Sequence, residues 1–195
     1  QHCHEQCIHH TAGQGILRSQ NQRGRELSNH NFNTPPDILE RVHMLDKRGI
    51  GLDPCSNVTS LVNARVSWDE DANGLKPGRS WRGHGLVFMN PPHSMSPYNI
   101  EPWIERAYYD FTRPDFVLDQ FVGLIPAKTD TAWFHDFVVP FPVKLFLRGR
   151  PTYWLDGKPM PGPGKFASML IYAGGCPTRF GEIFADMGWL IGGME

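Results

Sequence analysis

The sequence predicts an α/β fold in which a mostly parallel sheet carries helices on both faces. Two compact apolar runs, at 85–89 and 121–125, have the length and composition of buried strands. Between them, the apolar side chains from 103 to 111 are spaced as one face of a helix. Alternation of this kind is typical of parallel sheets, because parallel neighbours need a crossover connection, usually a helix.

Further elements are expected on both sides of this unit. Thr34 is a candidate N-cap with Pro35 at the first helical position, so a helix packed on the sheet would begin there. A short strand at 49–52 follows this helix. The elements expected after residue 125 are a helix presenting Trp133, Phe134, Phe137 and Val138, and strands at 143–147 and 166–172.

Composition and length fit one domain with a sizeable core. The chain has 195 residues, and we expect a flexible leader rich in His, Cys and Gln at 1–30, followed by a single domain at 31–195. The net charge of −1 is not that of a strongly basic nucleic-acid binder, so nucleic-acid contact would need a local basic patch. No apolar stretch has the length of a membrane span and no secretory signal is visible, which predicts a cytoplasmic protein without membrane contact.

Two cysteines and four histidines lie within the first ten residues. Cys3 and Cys7 could bind zinc together with two of the histidines, but these pairs lie too close for the usual zinc-finger spacing. The alternative is a polar leader that binds metal only adventitiously. We expect no metal at the functional site.

The most informative motif is Asn90-Pro91-Pro92-His93, directly after the apolar run at 85–89. Each proline fixes its own φ and pushes the preceding residue into an extended conformation, so Asn90 should point beyond the sheet. Oxygens held there can accept both hydrogens of an exocyclic amine, and the His93 ring can stack on the base that carries it. An amine held in this way can attack a methyl sulfonium. The alternative is an ordinary turn after a strand.

A second polar strand end is formed by Asp53-Pro54-Cys55. Ligands of open α/β sheets bind outside the carboxyl ends of the strands, so this loop and Asn90 would share one crevice. The chain has neither a G-x-G-x-x-G fingerprint nor a P-loop, so a cofactor bound here would not depend on a pyrophosphate. The helix amino terminus at Thr34 could also receive a ligand carboxylate, although an ordinary capped core helix is the alternative.

Short motifs follow one another in a particular order along residues 30 to 173. They are Thr34-Pro35-Pro36, Leu52-Asp53-Pro54-Cys55, Asn63-Ala64, Asn73-Gly74-Leu75 before Trp81, Asn90-Pro91-Pro92, Pro102-Trp103-Ile104, Leu124-Ile125-Pro126-Ala127, Thr129-Asp130-Thr131, Trp133-Phe134 and Gly149-Arg150. In this order they resemble the phage DNA N6-adenine methyltransferase family, often called Dam-like. The resemblance implies a Rossmann-like class I methyltransferase fold, S-adenosylmethionine as cofactor and adenine in DNA as substrate.

The resemblance also implies roles for single residues in cofactor binding. Thr34 and Pro35 match the family segment that holds the methionine end of S-adenosylmethionine. Asp53, Pro54 and Cys55 match its cofactor loop.

The catalytic tetrapeptide of the family is matched by Asn90, Pro91, Pro92 and His93, with His93 standing where Tyr, Phe or Trp is usual. Imidazole covers less of a stacked base and can protonate. Asn73 is a weaker match to a further cofactor contact, because the family would have an Asp near this position. These two departures favour the catalytically silent alternative described below.

Contacts with DNA are expected from a proline- and glycine-rich insert near 149–165 and from nearby cations. The insert could line a DNA groove, with an aromatic residue supporting a flipped base, or it could be a β-hairpin with a long turn. The candidate DNA-binding residues are Lys128, Arg148, Arg150, Tyr153 and Lys158. A solvated surface charge is the simpler interpretation of most such cations.

These observations predict transfer of a methyl group from S-adenosylmethionine to the N6 amine of adenine in DNA. Specificity for sequence should be short or relaxed, because the chain has little room for a separate recognition domain. Two alternatives remain open. One is a methyltransferase that acts on RNA or on a glutamine amide, and the other is a catalytically silent DNA-binding or anti-restriction module.

Overall fold

The structure, a computed structural model, describes residues 32–92, 99–112 and 119–192. The Cys and His cluster of the leader and the predicted stacking residue His93 lie outside the described residues. None of the described helices is long and apolar enough to cross a membrane.

Nine strands and three α-helices follow one another along the described chain. The strands are β1 (Ile50–Asp53), β2 (Val66–Ser67), β3 (Leu86–Met89), β4 (Gln120–Pro126), β5 (Val143–Leu147), β6 (Trp154–Leu155), β7 (Lys158–Pro159), β8 (Ser168–Ala173) and β9 (Gly188–Ile191). The helices are α1 (Pro36–His43), α2 (Glu101–Phe111) and α3 (Pro177–Phe184), with a short π-helical segment at Phe134–Val138.

Seven of the strands form one sheet in the order β2-β1-β3-β4-β8-β5-β9. The pairs β1–β2, β1–β3 and β3–β4 are parallel, whereas β8 runs antiparallel to β4 and to β5, and β9 antiparallel to β5. Five strands therefore share one direction and two oppose it. The predicted mixed α/β architecture with a mostly parallel sheet is confirmed.

Helices cover both faces of the sheet. Alternate residues of a strand point to opposite faces, and the buried core accordingly divides into two clusters. Val87 and Met89 pack with the side chains of α2 and of the π-helical segment. Leu86 and Phe88 pack with α1 and α3 on the other face. Each β3 side chain is fully buried, which explains why this strand is apolar throughout.

The chain reverses its direction of travel across the sheet at β1. It passes from β1 to β2 on one side and then to β3 on the other side of β1. In open α/β sheets the crevice for a ligand lies at such a reversal, outside the carboxyl ends of the two strands. Asp53 closes β1 and Asn90 follows β3 directly, so both stand at this reversal.

The predicted capping of the first helix is wrong. Helix α1 begins at Pro36, and Pro35 is its N-cap, without a side-chain capping hydrogen bond. Pro35 has φ −54° and ψ 139°, because a residue before a proline is pushed out of the helical region. Thr34 therefore lies outside the helix, and its hydroxyl is available to a different partner.

The proline- and glycine-rich insert contains a hairpin with a tight turn, not a long one. Strands β6 and β7 pair in antiparallel fashion, and the two residues between them, Asp156 and Gly157, have φ values of 50° and 73°. Asp-Gly with two positive φ values is the preferred two-residue connection of a hairpin, because its twist matches that of the strands.

Candidate active site

Asn90 presents two different polar atoms at the carboxyl end of β3. Its Nδ2 donates a hydrogen bond to the Thr34 hydroxyl oxygen over 3.1 Å. Its Oδ1 is buried and has no hydrogen-bond partner among the described residues. A buried polar atom without a partner costs about 1–3 kcal/mol, so such an atom in a native site is a candidate ligand contact.

Asp53 is a buried carboxyl group at the end of β1, with only 3% of its surface exposed. Burial raises its pKa to about 6, against the opposing effect of hydrogen bonds. Those bonds include the backbone N–H of Cys55 at 3.2 Å and the hydroxyl of Ser60 at 3.3 Å. The carboxyl group is thus held in a fixed position, and its charge changes close to neutral pH.

Cys55 connects the two strand ends. Burial raises the pKa of its thiol well above the ordinary value, and the charge of Asp53 acts in the same direction. The backbone N–H of Asn90 hydrogen-bonds the thiol and opposes this shift. Cys55 is therefore a neutral packing group beside Asn90 and not a thiolate nucleophile.

A polar network fixes the segment in front of α1, and the sequence alone does not identify it. The Asn57 side chain accepts from the Thr59 backbone N–H at 2.9 Å and donates to the Asn33 side chain at 3.2 Å. The Asn33 amide in turn donates to the Thr59 hydroxyl at 3.2 Å. The only local signal is the Asn-x-Thr spacing at 57–59, which is typical of a side-chain-to-backbone turn.

Asn73 lies next to the loop after β1, but its side chain is used locally. It is exposed, has φ +50°, and its Oδ1 accepts from the Leu75 backbone N–H at 3.0 Å. The neighbouring Gly74 makes the contact with the loop, since a Cβ there would lie 1.9 Å from the carbonyl oxygen of Pro54. The structure thus brings the 73–75 segment to the predicted cofactor loop through a glycine.

The β6–β7 hairpin is joined to the same segment. The backbone N–H of Asn33 donates to the Trp154 carbonyl at 2.8 Å, and the Trp154 N–H donates back to Asn33 at 3.0 Å. The predicted DNA-binding insert therefore lies beside Thr34, which contacts Asn90.

An open pocket of about 340 Å³ lies between the start of α1 and the chain that enters the hairpin. Arg148, Arg150 and Trp154 line it together with Pro35 and Asp37. Both arginines are exposed, and Arg150 reaches the carbonyl oxygens at 164 and 165 only over 3.5 and 3.4 Å. Two cations and an indole thus border one cavity near the candidate active site.

The other predicted DNA contacts have different surroundings. The Lys128 ammonium lies 4.8 Å from the centre of the Phe166 ring, and Lys158 is exposed on β7. Tyr153 is half-buried, and burial raises its pKa while a hydrogen bond with Ser168 lowers it. Tyr153 therefore supports the base of the hairpin from within.

The described residues contain no group of three or more His, Cys, Asp or Glu side chains that could hold a metal ion. Comparison with known proteins finds no matching family model, no matching curated protein and no matching solved structure. Function must accordingly be inferred from the chemistry of the site itself.

Proposed function

We propose that this protein is a Rossmann-like class I methyltransferase that transfers a methyl group from S-adenosylmethionine to the N6 amine of adenine in DNA. The observation that supports this most is the buried Oδ1 of Asn90, which has no partner in the described part of the chain. It follows a buried strand and precedes two prolines. This is an acceptor prepared for a donor that the protein does not supply.

The crevice between β1 and β3 fits S-adenosylmethionine by its chemistry. The buried Asp53 carboxyl group offers an acceptor for hydroxyl or ammonium hydrogens, and Thr34 and Asn90 offer polar atoms on the opposite side. Gly74 lets the backbone approach Pro54 closely, which leaves that wall without side-chain bulk. When bound here, the cofactor would supply an electrophilic methyl group.

The protein's own part in the reaction is to bind and orient the amine. Asn90 Oδ1 and the Pro91 carbonyl would accept the two N6 hydrogens, which draws lone-pair density onto the nitrogen. Fixed dipoles of this kind need no reorganisation during the reaction, so they lower the barrier more than water does. The N6 proton is lost after methyl transfer, and a strong general base is therefore unnecessary. His93, outside the described residues, would stack on the adenine ring.

The pocket beside Thr34 supports DNA as the substrate. A base must leave the duplex to reach such a site, and the enzyme must then hold the flanking phosphates. Arg148 and Arg150 border the pocket and are the cations placed for this role. Because the net charge of the whole chain is only −1, DNA affinity would depend on this local patch.

The decisive experiment follows labelled methyl from S-adenosylmethionine into unmethylated DNA, with mass analysis of the nucleosides. The native protein should form N6-methyladenine, and Asn90→Ala should lose it while still binding the cofactor by calorimetry. Asn90→Asp is the matched control, since it keeps acceptor oxygens and should retain transfer. Cofactor binding without transfer to DNA would point to RNA or a glutamine amide, and absence of both would favour the silent DNA-binding module.

A further inference from the structure

We infer that Thr34 is a positioning residue, whose hydroxyl sets the orientation of the Asn90 amide so that Oδ1 and not Nδ2 faces the substrate amine. This inference rests on the proposed function for the identity of the amine. It gives Thr34 a different role from the cofactor contact that the sequence resemblance implies.

Orientation matters because the two ends of a carboxamide have almost the same shape and opposite polarity. The oxygen accepts hydrogen bonds, while the NH₂ group only donates them. An amine substrate presents its own hydrogens, so a rotated Asn90 would set donors against donors. An Asn used as an amine clamp therefore needs a neighbour that distinguishes its two ends.

Thr34 occupies the place of that neighbour. Its hydroxyl oxygen lies 3.1 Å from Asn90 Nδ2, and only 2% of the residue is exposed. In the rotated amide, two N–H donors would lie buried where Oδ1 now stands, without an acceptor among the described residues. Buried donors without partners are rarer in proteins than under-satisfied carbonyl oxygens, so the observed orientation is favoured.

The Thr34 backbone is fixed from both sides. Asn33 forms two backbone hydrogen bonds with Trp154 in the hairpin, at 2.8 and 3.0 Å. Its side chain is also bonded to Asn57 and Thr59 in the loop after β1. On the other side, Pro35 and Pro36 restrict φ of the following residues. The hydroxyl is thus in place before any ligand binds.

The first test compares Thr34→Val, which removes the hydroxyl, with Thr34→Ser, which keeps it. For Thr34→Val we expect kcat for DNA methylation to fall about tenfold or more, as expected when one orienting hydrogen bond is removed, with the Kd for S-adenosylmethionine unchanged within about twofold. Thr34→Ser should restore kcat. Thr34→Ala removes the same hydroxyl with a smaller side chain and should behave like Thr34→Val.

A second background separates orientation from cofactor binding. In Asn90→Asp both ends of the side chain are acceptors, so rotation changes nothing. Measured at pH 8, Thr34→Val should therefore cost much less in kcat in the Asn90→Asp background than in the native one. An equal loss in both backgrounds, or a rise in the Kd for S-adenosylmethionine that accounts for the loss, would overturn the inference.

The same inference can be checked without activity. In protein labelled with ¹⁵N-asparagine, the Asn90 side-chain NH₂ pair is identified by its disappearance in Asn90→Asp. Thr34→Val should shift this pair and speed its exchange with water, and Thr34→Ser should leave both nearly unchanged. An unshifted pair in Thr34→Val would refute the contact. Because this readout needs no substrate, it separates failure of the Thr34 role from failure of the methyltransferase proposal.

Discussion

Asp53 is a buried carboxyl group whose ionisation the fold opposes. Its folded pKa of about 6 lies above the ordinary value of 3.8, so the folded state keeps a proton that the unfolded state loses. Stability therefore decreases as the pH rises from about 4 to about 6, and the full penalty, about 3 kcal/mol, is present above that range. A fold that accepts this penalty keeps a charge where a ligand can use it.

We predict that Asp53→Asn is more stable than the native protein at pH 8, by up to about 3 kcal/mol, because the amide carries no charge to bury. The difference should shrink as the pH falls through 6 and vanish near pH 4. Urea unfolding at a series of pH values measures it. A difference that is the same at pH 4 and pH 8 would show that ionisation of Asp53 is not its cause. Affinity for S-adenosylmethionine should decrease in the same variant.

Gly74 illustrates how one missing side chain permits two loops to meet. A Cβ at this position would lie 1.9 Å from the Pro54 oxygen and 2.9 Å from its carbonyl carbon, both backbone atoms that cannot rotate away. Gly74→Ala should destabilise the protein by about 1–3 kcal/mol and weaken cofactor binding, because the Pro54 loop must move. Gly162→Ala is the matched control, since nothing lies within 4 Å of its Cβ position. Thermal unfolding and cofactor titration of both variants test this, and equal stability would contradict it.

The regular elements could be predicted from local patterns. The fully buried β3 and the apolar stripe of α2 are visible in short windows of sequence, because burial repeats at the period of the element. The start of α1 could not be placed by capping rules alone, since the consecutive Pro35 and Pro36 shift the helix by one residue. The antiparallel insertion of β8 between β4 and β5 depends on contacts distant in sequence, which no local pattern encodes.

The candidate site was predictable only in its strand ends. Asn90 and Asp53 follow apolar runs, so their position at one edge of the sheet follows from the fold class. Their surroundings do not follow in this way. The contact of Thr34 with Asn90 and the pairing of Asn33 with Trp154 join residues far apart in sequence, and only the tertiary structure brings such pairs together.

The hairpin β6–β7 and its flanks carry the cations for DNA. The double variant Arg148→Gln, Arg150→Gln should weaken DNA binding about tenfold or more, because fewer phosphates are then neutralised by the protein. The slope of log K against log salt should also become shallower, by about one for each such phosphate. Fluorescence anisotropy at several salt concentrations measures both quantities.

Lys47→Gln is the control for the removal of a charge, because Lys47 is exposed just before β1, at the end of the sheet opposite Asp53. It should leave the affinity for DNA nearly unchanged. If Lys47→Gln and the arginine variants weaken binding equally per charge, DNA contact is diffuse and the pocket beside Thr34 is not its centre.

The molecule as a whole combines a neutral surface with one polar crevice. Its net charge of −1 gives no general attraction for DNA, and the switch point between β1 and β3 gathers the buried polar groups Thr34 and Asp53. Substrate selection would thus depend on contacts near the crevice more than on long-range steering.

Cofactor binding should therefore stabilise the entire fold. A ligand that binds only the folded protein adds RT ln(1 + [L]/Kd), about 2.7 kcal/mol at a hundredfold excess over Kd, which for a chain of this size raises Tm by about 5–10 °C. Differential scanning fluorimetry with S-adenosylmethionine measures the shift, with ATP as a control for general adenosine binding. Asn90→Ala should keep the shift, since the acceptor it removes serves the amine, whereas Gly74→Ala should reduce it. If the native protein shows no shift up to millimolar cofactor, the crevice does not bind S-adenosylmethionine and the silent module becomes the better explanation.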